Sequence, residues 1–256
     1  MKTIIFDIET TALPEAVLRD QYTVPADEEI SVGNATKPET IERKLAEGRE
    51  RHWRNYVEKA ALNAATAQVR MAGFLTVTHA GTATEQGRLS AADEHEFDIF
   101  AWDEAPERRS AMGVISGCFD SERMVVASAI KTVQQAIAAD INIITYNGED
   151  FDLPFLLRRA MFLGVPFNRT QLRHGRWWNC AFIDLRTEIQ LGQREYKTGG
   201  LSGLAKMLGC TRKKTDGVDG AKFGETFEKD PALAVQYLRD DLLLTEEVAL
   251  RMGVAP

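Results

Sequence analysis

The stretch IIFDIETT at residues 4–11 has the apolar character of a buried strand, yet it carries Asp7 and Glu9 in its middle. Because side chains alternate across a strand, the two carboxylates point to the same face. Burying two like charges side by side without a partner is costly. The sequence therefore predicts a strand whose acidic pair is relieved by a cation.

Chain length and charge limit the class of protein. With 256 residues, of which 44% are hydrophobic, the chain can bury a sizeable core, and we expect one domain over residues 1–256. The formal net charge of -7 argues against a protein held on nucleic acid by a broad basic face, because phosphate neutralisation needs clustered cations. It does not exclude a nuclease.

The cysteines indicate a reducing compartment. Cys118, Cys180 and Cys210 are widely spaced and form no C-x-x-C pair, so neither a disulfide framework nor a structural zinc site is indicated. The acidic pair interrupts the N-terminal apolar run, which is therefore not expected to be a signal peptide. No run approaches the roughly 18 apolar residues of a membrane helix. We expect a cytoplasmic protein.

The N-terminal third predicts an insertion after the first strand. Residues 12–35 lack clear periodicity and are expected to form a loop. Residues 36–62 have the apolar spacing of a charged helix, with Thr36 and Glu39 at the spacing of a capping box. We therefore predict a loop and helical insertion over residues 12–66.

The remaining chain predicts a mixed sheet with helices. Two runs, 67–79 and 95–103, are expected to be strands that are antiparallel neighbours of the first one, whereas residues 104–118 are ambiguous. Strand and helix then alternate, with helices expected at 121–140, 152–164, 199–209 and 231–252 and strands at 141–148 and 180–185. No glycine pattern has the spacing of a nucleotide-cradling loop. The sum predicts an α/β fold, antiparallel in its first strands and parallel later.

Asp152 lies where an apolar strand has ended and a helix begins, with Pro154 just inside the helix. The simpler interpretation is a helix N-cap, because Asp is among the preferred capping residues. A ligand role for an outward-facing carboxylate is compatible with capping. Both interpretations stay open from this segment alone.

Tyr237 and Asp241 are one turn apart in the last predicted helix and therefore share one stripe. Leu244 and Val248 continue this stripe, so we expect Tyr237 and Asp241 to face protein, while Asp240 points about 100° away. A surface tyrosine with a solvated acidic pair is the alternative for any isolated Tyr-x-x-x-Asp. A buried Asp241 would need a partner.

The ordered set FDIET, YNGEDFD and YLRDD resembles the three exonuclease motifs of the DEDD superfamily, in the subclass whose third motif is Tyr-x-x-x-Asp. The chain looks most like the proofreading exonuclease domain of family B DNA polymerases and the stand-alone bacterial proteins related to it. FIDL, LSGLAKMLG and KKTDGVDG are weaker support. The resemblance covers both ends and residues 140–252, and covers residues 12–66 poorly.

This resemblance implies a ribonuclease-H-like fold with 3′–5′ exonuclease activity. It also implies that two divalent cations are held by four carboxylates, those of Asp7, Glu9, Asp152 and Asp241. Hard oxygen ligands suit Mg²⁺ or Mn²⁺, and the four histidines show no zinc-ligand spacing. Such a pair of cations stabilises the attacking water and the leaving 3′ oxygen of a phosphodiester.

Further roles follow from the same resemblance. Tyr237 would orient the attacking water, since an ordinary pKa of about 10 makes it a poor base at neutral pH. Thr10, Asn147 and Phe151 would hold the unpaired 3′ end of the substrate. Phe151 either stacks on a base or anchors the core. Relatives also contact the substrate with a hydroxyl-bearing residue that directly precedes a helical leucine. That residue has no match here, because Gly200 precedes Leu201.

Basic residues cluster in RTQLRHGRWWN (169–179) and in TRKK (211–214). The first cluster, which includes Trp177 and Trp178, fits a path for single-stranded nucleic acid or, as the simpler interpretation, a solvated loop with buried tryptophans. Charge alone does not decide between these two.

Two functions of different classes remain open. The first is a metal-dependent 3′–5′ exonuclease acting on the 3′ end of nucleic acid, with single-stranded DNA favoured over RNA. The second is a non-catalytic nucleic-acid-binding or interaction module on an exonuclease fold. Four carboxylates that repel one another without metal are of no use to a binding module, which favours catalysis. An endonuclease on the same fold is a weaker third option.

Overall fold

The computed structural model describes residues 2–78, 94–170, 172, 181–193, 195–218, 220 and 223–254. The chain divides into two compact units. The larger unit comprises Met1–Glu9 and Val69–Pro256, and the smaller unit comprises Thr10–Gln68. Trp177, Trp178 and their basic neighbours lie outside the described residues, so both interpretations of that segment stay open.

A six-stranded sheet has the strand order β4-β3-β2-β1-β5-β6. Its strands are β1 (Lys2–Ala12), β2 (Ala67–Thr78), β3 (Glu94–Trp102), β4 (Gly117–Phe119), β5 (Asn142–Thr145) and β6 (Phe182–Asp184). β2 and β3 are antiparallel, while β5 is parallel to both β1 and β6. The predicted α/β fold with a mixed sheet is confirmed.

The helices are α1 (Glu15–Gln21), α2 (Pro38–Lys59), α3 (Pro106–Ala111), α4 (Glu122–Ala138), α5 (Asp152–Phe162), α6 (Leu185–Gln190), α7 (Gly200–Met207), α8 (Phe223–Lys229) and α9 (Pro231–Met252). α2, α4, α5, α7 and α9 occupy the segments that the sequence predicts to be helical. α9 begins as expected, because Asp230 caps it by accepting a hydrogen bond of 3.0 Å from the amide of Leu233.

The core of the larger unit fixes α9 against the sheet. Ile5 of β1 and Met71 of β2 are buried in one cluster with Leu238 and Leu242 of α9. A Cβ atom at Gly73 would lie 2.9 Å from side-chain atoms of both leucines, so any larger residue there would displace them. This close approach carries the acidic turn of α9 to the middle of the sheet.

Three local predictions are wrong. Residues 12–35 are not entirely a loop, since α1 lies within them; a helix of two turns with Leu18 as its single buried residue is too short to show periodicity. The predicted capping box at Thr36 is absent, because Lys37 is the N-cap and Pro38 begins the helix. The third wrong prediction makes both β2 and β3 neighbours of β1. In the sheet β2 adjoins β1, whereas β3 pairs with β2 and β4.

The smaller unit has its own aromatic cluster. The hydroxyl of Tyr22 lies 2.8 Å from Nδ1 of His52, and its ring contacts Trp53 at 4.9 Å between centroids. The guanidinium of Arg19 covers the Trp53 ring at 4.4 Å from its centroid. The boundaries of a single domain with an insertion over residues 12–66 stay a prediction.

None of the helices in the described part of the chain is both long enough and apolar enough to cross a bilayer.

Candidate active site

Strand β1 and helix α9 bring three carboxylates together. One oxygen from each of Asp7, Glu9 and Asp241 lies within 4.8 Å of the other two. Glu9 and Asp241 are buried and Asp7 is half-buried. Since hard divalent cations take oxygen ligands at about 2.0–2.6 Å, one ion can contact all three groups at this spacing.

Asp152 joins this group from helix α5, in an unexpected way. The N-cap of α5 is Phe151, and Asp152 is the first helical residue and makes no capping bond, so the capping interpretation is wrong. Instead, its Oδ1 accepts a hydrogen bond of 3.0 Å from the amide of Ile8 in β1. This bond holds the carboxylate beside Asp7, although Asp152 is not part of the three-oxygen cluster.

Tyr237 and Asp241 both face the interior, as their stripe on α9 predicts. They are 3% and 5% exposed, so the interpretation as a solvated surface pair is wrong. Asp240 points elsewhere, where its oxygens accept hydrogen bonds from Thr215 and Gln236. Two adjacent aspartates of α9 therefore have different surroundings.

The carboxylate cluster is short of positive charge. Burial, followed by repulsion from Asp152 and Glu9, raises the pKa of Asp7 well above its ordinary value. Burial, followed by repulsion from Asp241, does the same to the pKa of Glu9. Burial also raises the pKa of Asp152 to about 6, against the hydrogen bonds that its charged form accepts.

An oxygen without a hydrogen-bond partner also indicates a missing positive charge. Oδ1 of Asp241 is buried and has no hydrogen-bond partner among the described residues. Burial raises the pKa of this carboxyl, although Lys214 opposes the rise. Converging hard oxygen atoms with an unmet need for positive charge fit divalent cations such as Mg²⁺ or Mn²⁺.

Lys214 is a member of the site that the sequence does not single out. Its Nζ lies 2.5 Å from Oδ2 of Asp241 and 5.4 Å from the ring centroid of Tyr237. The sequence marks TRKK as a basic cluster and KKTDGVDG as a family-like segment, but neither distinguishes Lys214 from Lys213. The partner that does so is 27 residues away in the chain.

The hydroxyl of Tyr237 is held in its protonated form. Burial, then the carboxylates of Glu9 and Asp241, raise its pKa above the ordinary value. A phenol in these surroundings donates hydrogen bonds and does not accept a proton as a base.

These groups line a cavity of about 640 Å³ in the larger unit. Asn147 and Phe151 line it as well, so it contains seven of the eight candidate residues. Phe151 lines the cavity while its ring lies 5.4 Å from that of Phe155, so base stacking and core packing both stay open for this residue. Thr10 belongs to the smaller unit, where its hydroxyl donates a hydrogen bond of 2.7 Å to the carbonyl of Ala61. Its role at the 3′ end stays a prediction.

Two further residues shape the cavity without having been predicted. Asp184, in the FIDL segment, accepts hydrogen bonds from the amides of Asn147 and Glu149 at 3.0 and 2.8 Å, and it also caps α6. It thereby holds Asn147 in its left-handed conformation, with φ of 66°. Thr198 lines the cavity and lies 2.6 Å from the hydroxyl of Tyr146.

Comparisons with known proteins agree with this architecture. Among solved structures, the family B DNA polymerase from the hyperthermophilic archaeon Pyrobaculum calidifontis matches with a TM-score of 0.52 and 17% sequence identity. The match covers 97% of this chain and 24% of the polymerase chain, so the protein corresponds to about a quarter of that polymerase. At this identity the likeness concerns the fold. No curated protein matches the sequence.

A family model described as the RNase_H superfamily matches residues 105–248. This segment includes Asp152, Tyr237 and Asp241, whereas Asp7 and Glu9 precede it. Because the model covers more than half of the 256 residues, the chain belongs to the RNase_H superfamily.

Proposed function

We propose that the protein is a metal-dependent 3′–5′ exonuclease that hydrolyses phosphodiester bonds at the 3′ end of single-stranded DNA. One observation carries the proposal: oxygens of Asp7, Glu9 and Asp241 converge within 4.8 Å in an accessible cavity, with Asp152 beside them. An RNase_H superfamily fold agrees with nuclease chemistry.

Asp7, Glu9, Asp152 and Asp241 would hold two divalent cations, Mg²⁺ or Mn²⁺. When bound, these cations would supply charge stabilisation at the attacking and leaving oxygens of the phosphodiester. The rise in carboxyl pKa without cations supports this assignment, because the same repulsion favours cation binding.

The other side chains of the cavity have roles that do not require a change in their charge. Tyr237 donates a hydrogen bond that orients the attacking water, since its buried hydroxyl stays protonated. Lys214 supplies a positive charge next to Asp241, where a phosphate would enter. Phe151 offers a ring on which the terminal base stacks, a contact that tolerates any base sequence.

Asn147 presents its amide at the same wall. Its Oδ1 accepts a hydrogen bond from Arg186, which leaves the amide NH₂ to donate to the terminal nucleotide. A single strand is favoured over a duplex because stacking on Phe151 requires an unpaired base. We also propose a cytoplasmic location, on the basis of the scattered cysteines alone.

One observation favours the alternative of a non-catalytic binding module. The ammonium group of Lys214 already neutralises part of the carboxylate cluster without any metal ion. However, a single lysine leaves Asp7, Glu9 and Asp152 with raised pKa values, so the cluster still lacks cations.

Digestion of 12-nucleotide DNA and RNA strands labelled at the 5′ or the 3′ end, with Mg²⁺ or Mn²⁺, tests the proposal. A 5′ label should give a ladder that shortens one nucleotide at a time, and a 3′ label should give labelled mononucleotide at once. Asp7→Asn should be inert, while Asp98→Asn, an acidic position outside the cavity lining, should behave like the wild type. Internal fragments would indicate an endonuclease. A wild type inert on every strand would indicate the binding module.

A further inference from the structure

A second cavity, of about 770 Å³, adjoins the carboxylate cavity. The two share Lys214, Tyr237 and the turn of residues 199–201 at the start of α7. Helix α7 and the loop of residues 210–218 form the walls of the second cavity. A chain that ends at the carboxylates could therefore continue past Lys214 into this space.

The second cavity is basic, although the whole chain has a net charge of -7. Its lining includes the cations Lys206, Arg212, Lys213 and Lys214, against the single carboxylate of Asp216 among the described lining residues. The concentration of positive charge in this cavity, on both α7 and the loop, matches a ligand with repeated negative charges, as in a phosphodiester backbone.

Two of these cations are free to meet such a ligand. Lys214 lies against Asp241, and Arg212 lies 3.5 Å from Glu246. Lys206 and Lys213 are exposed, and neither has an ion pair with any carboxylate in the part of the chain that the structure describes. An unpaired lysine can contact an incoming phosphate without first breaking an ion pair.

The loop that carries Lys213 is anchored to α9. Glu247 accepts hydrogen bonds of 2.8 Å from the amides of both Thr211 and Arg212. Further along the loop, the hydroxyl of Thr215 donates to Asp240 at 2.5 Å. The loop is therefore fixed on both sides of Lys213, so its charge is presented at a defined place and little order has to be imposed on binding.

We infer that the second cavity binds the sugar-phosphate backbone of the substrate strand on the 5′ side of the terminal nucleotide, with Lys213 and Lys206 contacting successive phosphates. The inference rests on the proposed function, which sets the 3′ end at the carboxylates. It deepens that proposal by assigning the residues that hold the strand beyond its terminal nucleotide, and it explains how a protein with a net charge of -7 can bind a polyanion.

Charge reversal tests this strand path. The variants are Lys213→Glu and Lys206→Glu, and the matched control is Lys131→Glu on α4, an exposed lysine that lines neither cavity and has no ion pair among the described residues. Binding of a 5′-fluorescent 12-nucleotide DNA strand is measured by anisotropy over a range of salt concentrations, with Ca²⁺ in place of Mg²⁺. Hydrolysis of the p-nitrophenyl ester of thymidine 5′-monophosphate, which is too short to reach the second cavity, is measured in parallel with Mn²⁺.

Each reversal at Lys213 or Lys206 should weaken strand binding about tenfold and reduce the slope of log affinity against log salt by about 0.7, the value for one lost contact to a single strand. The control should bind like the wild type, and hydrolysis of the ester should be unchanged in all three variants. Unchanged strand binding, or an equal loss of ester hydrolysis, would overturn the path. If thymidine 5′-monophosphate alone loses as much affinity as the strand, the cavity is a product site and the path is also overturned.

The two proposals can fail separately in these measurements. A wild type that hydrolyses neither substrate, while strand binding still depends on Lys213 and Lys206, contradicts the exonuclease and leaves the strand path standing. Active hydrolysis with strand binding that is indifferent to both lysines does the reverse.

Discussion

Two buried carboxylates on helix α9 have opposite surroundings. Asp241 and Glu247 are 5% and 6% exposed. Burial would raise the pKa of Glu247, but hydrogen bonds from the amides of Thr211 and Arg212 and from the Thr211 hydroxyl lower it below the ordinary value. The pKa of Asp241 stays raised despite Lys214, and one of its oxygens has no partner among the described residues. Nearly equal solvent exposure thus accompanies a carboxylate that its own chain satisfies in one case and a carboxylate with an unpaired oxygen in the other.

These two side chains show how a functional carboxylate differs from a structural one. Glu247 is saturated by fixed donors from the chain itself, so its charge stabilises the loop that it holds. Asp241 shares its space with Asp7 and Glu9, which repel it. A group left uncompensated by its own protein is the one available to an external cation.

The largest expected effect separates the two carboxylates by activity. Asp7→Asn, which removes a carboxylate beside Asp241, should lower the rate of 3′-end hydrolysis by at least about a hundredfold, the scale of losing one group that stabilises transition-state charge. Glu247→Gln should retain substantial activity. The measurement is initial rates on a 5′-labelled strand with Mn²⁺. Similar losses in both variants would erase the distinction.

Cation binding should stabilise the folded protein, and this effect should depend on Asp7 but not on Glu247. At a free Mn²⁺ concentration about one hundred times its Kd, the free energy of unfolding should rise by about 2.7 kcal/mol in the wild type. Thermal unfolding with and without Mn²⁺ measures this rise as an increase in Tm. The increase should vanish in Asp7→Asn and persist in Glu247→Gln. A wild-type Tm that is insensitive to Mn²⁺ and Mg²⁺ would contradict the cation site.

The contributions of Asp152 and Glu247 to the free energy of unfolding should depend on pH with opposite signs. The pKa of Asp152 rises from 3.8 to about 6, so in EDTA its protonated form contributes stability that is present below pH 3.8 and lost as the pH rises through about 6. Relative to Asp152→Asn, which keeps an acceptor for the Ile8 amide, the wild type should lose about 2–3 kcal/mol between about pH 4 and pH 7. Urea unfolding at several pH values measures this difference. A constant difference would contradict the raised pKa.

For Glu247 the same unfolding experiment should show a loss of stability at low pH. Because its folded-state pKa is lowered, its charged form contributes stability above pH 4.5 that is lost as the pH falls. Near neutral pH, Glu247→Gln should therefore lower the free energy of unfolding by about 1.5–3 kcal/mol, the scale of hydrogen bonds to a charged group. A variant as stable as the wild type would show that the loop does not depend on Glu247.

The periodicity of a single strand or helix is enough to predict which way its carboxylates face. Contacts between residues that are far apart in the sequence could not be predicted in this way. The alternation of β1 is enough to expect Asp7 and Glu9 on one face, and the one-turn spacing of α9 is enough to expect Asp241 to face protein; in the structure oxygens of all three converge. The bond between Asp152 and Ile8 joins residues 144 apart in sequence, and nothing local distinguishes it from a helix cap. Lys214 is missed for the same reason.

The fold shows the same division between long and short elements. Long helices such as α4 and α9 have enough turns to reveal their buried face, and both are predicted correctly. α1 and α8 have seven residues each, which is too short for an apolar periodicity to be recognised in the sequence. Helices this short depend on tertiary packing for their stability.

Anomalous diffraction from crystals grown with Mn²⁺ would locate the cations themselves. We predict anomalous density within about 2.0–2.4 Å of carboxylate oxygens from Asp7, Glu9 and Asp241. Crystals that hold Mn²⁺ elsewhere on the surface, with no density between these three carboxylates, would contradict the cation site.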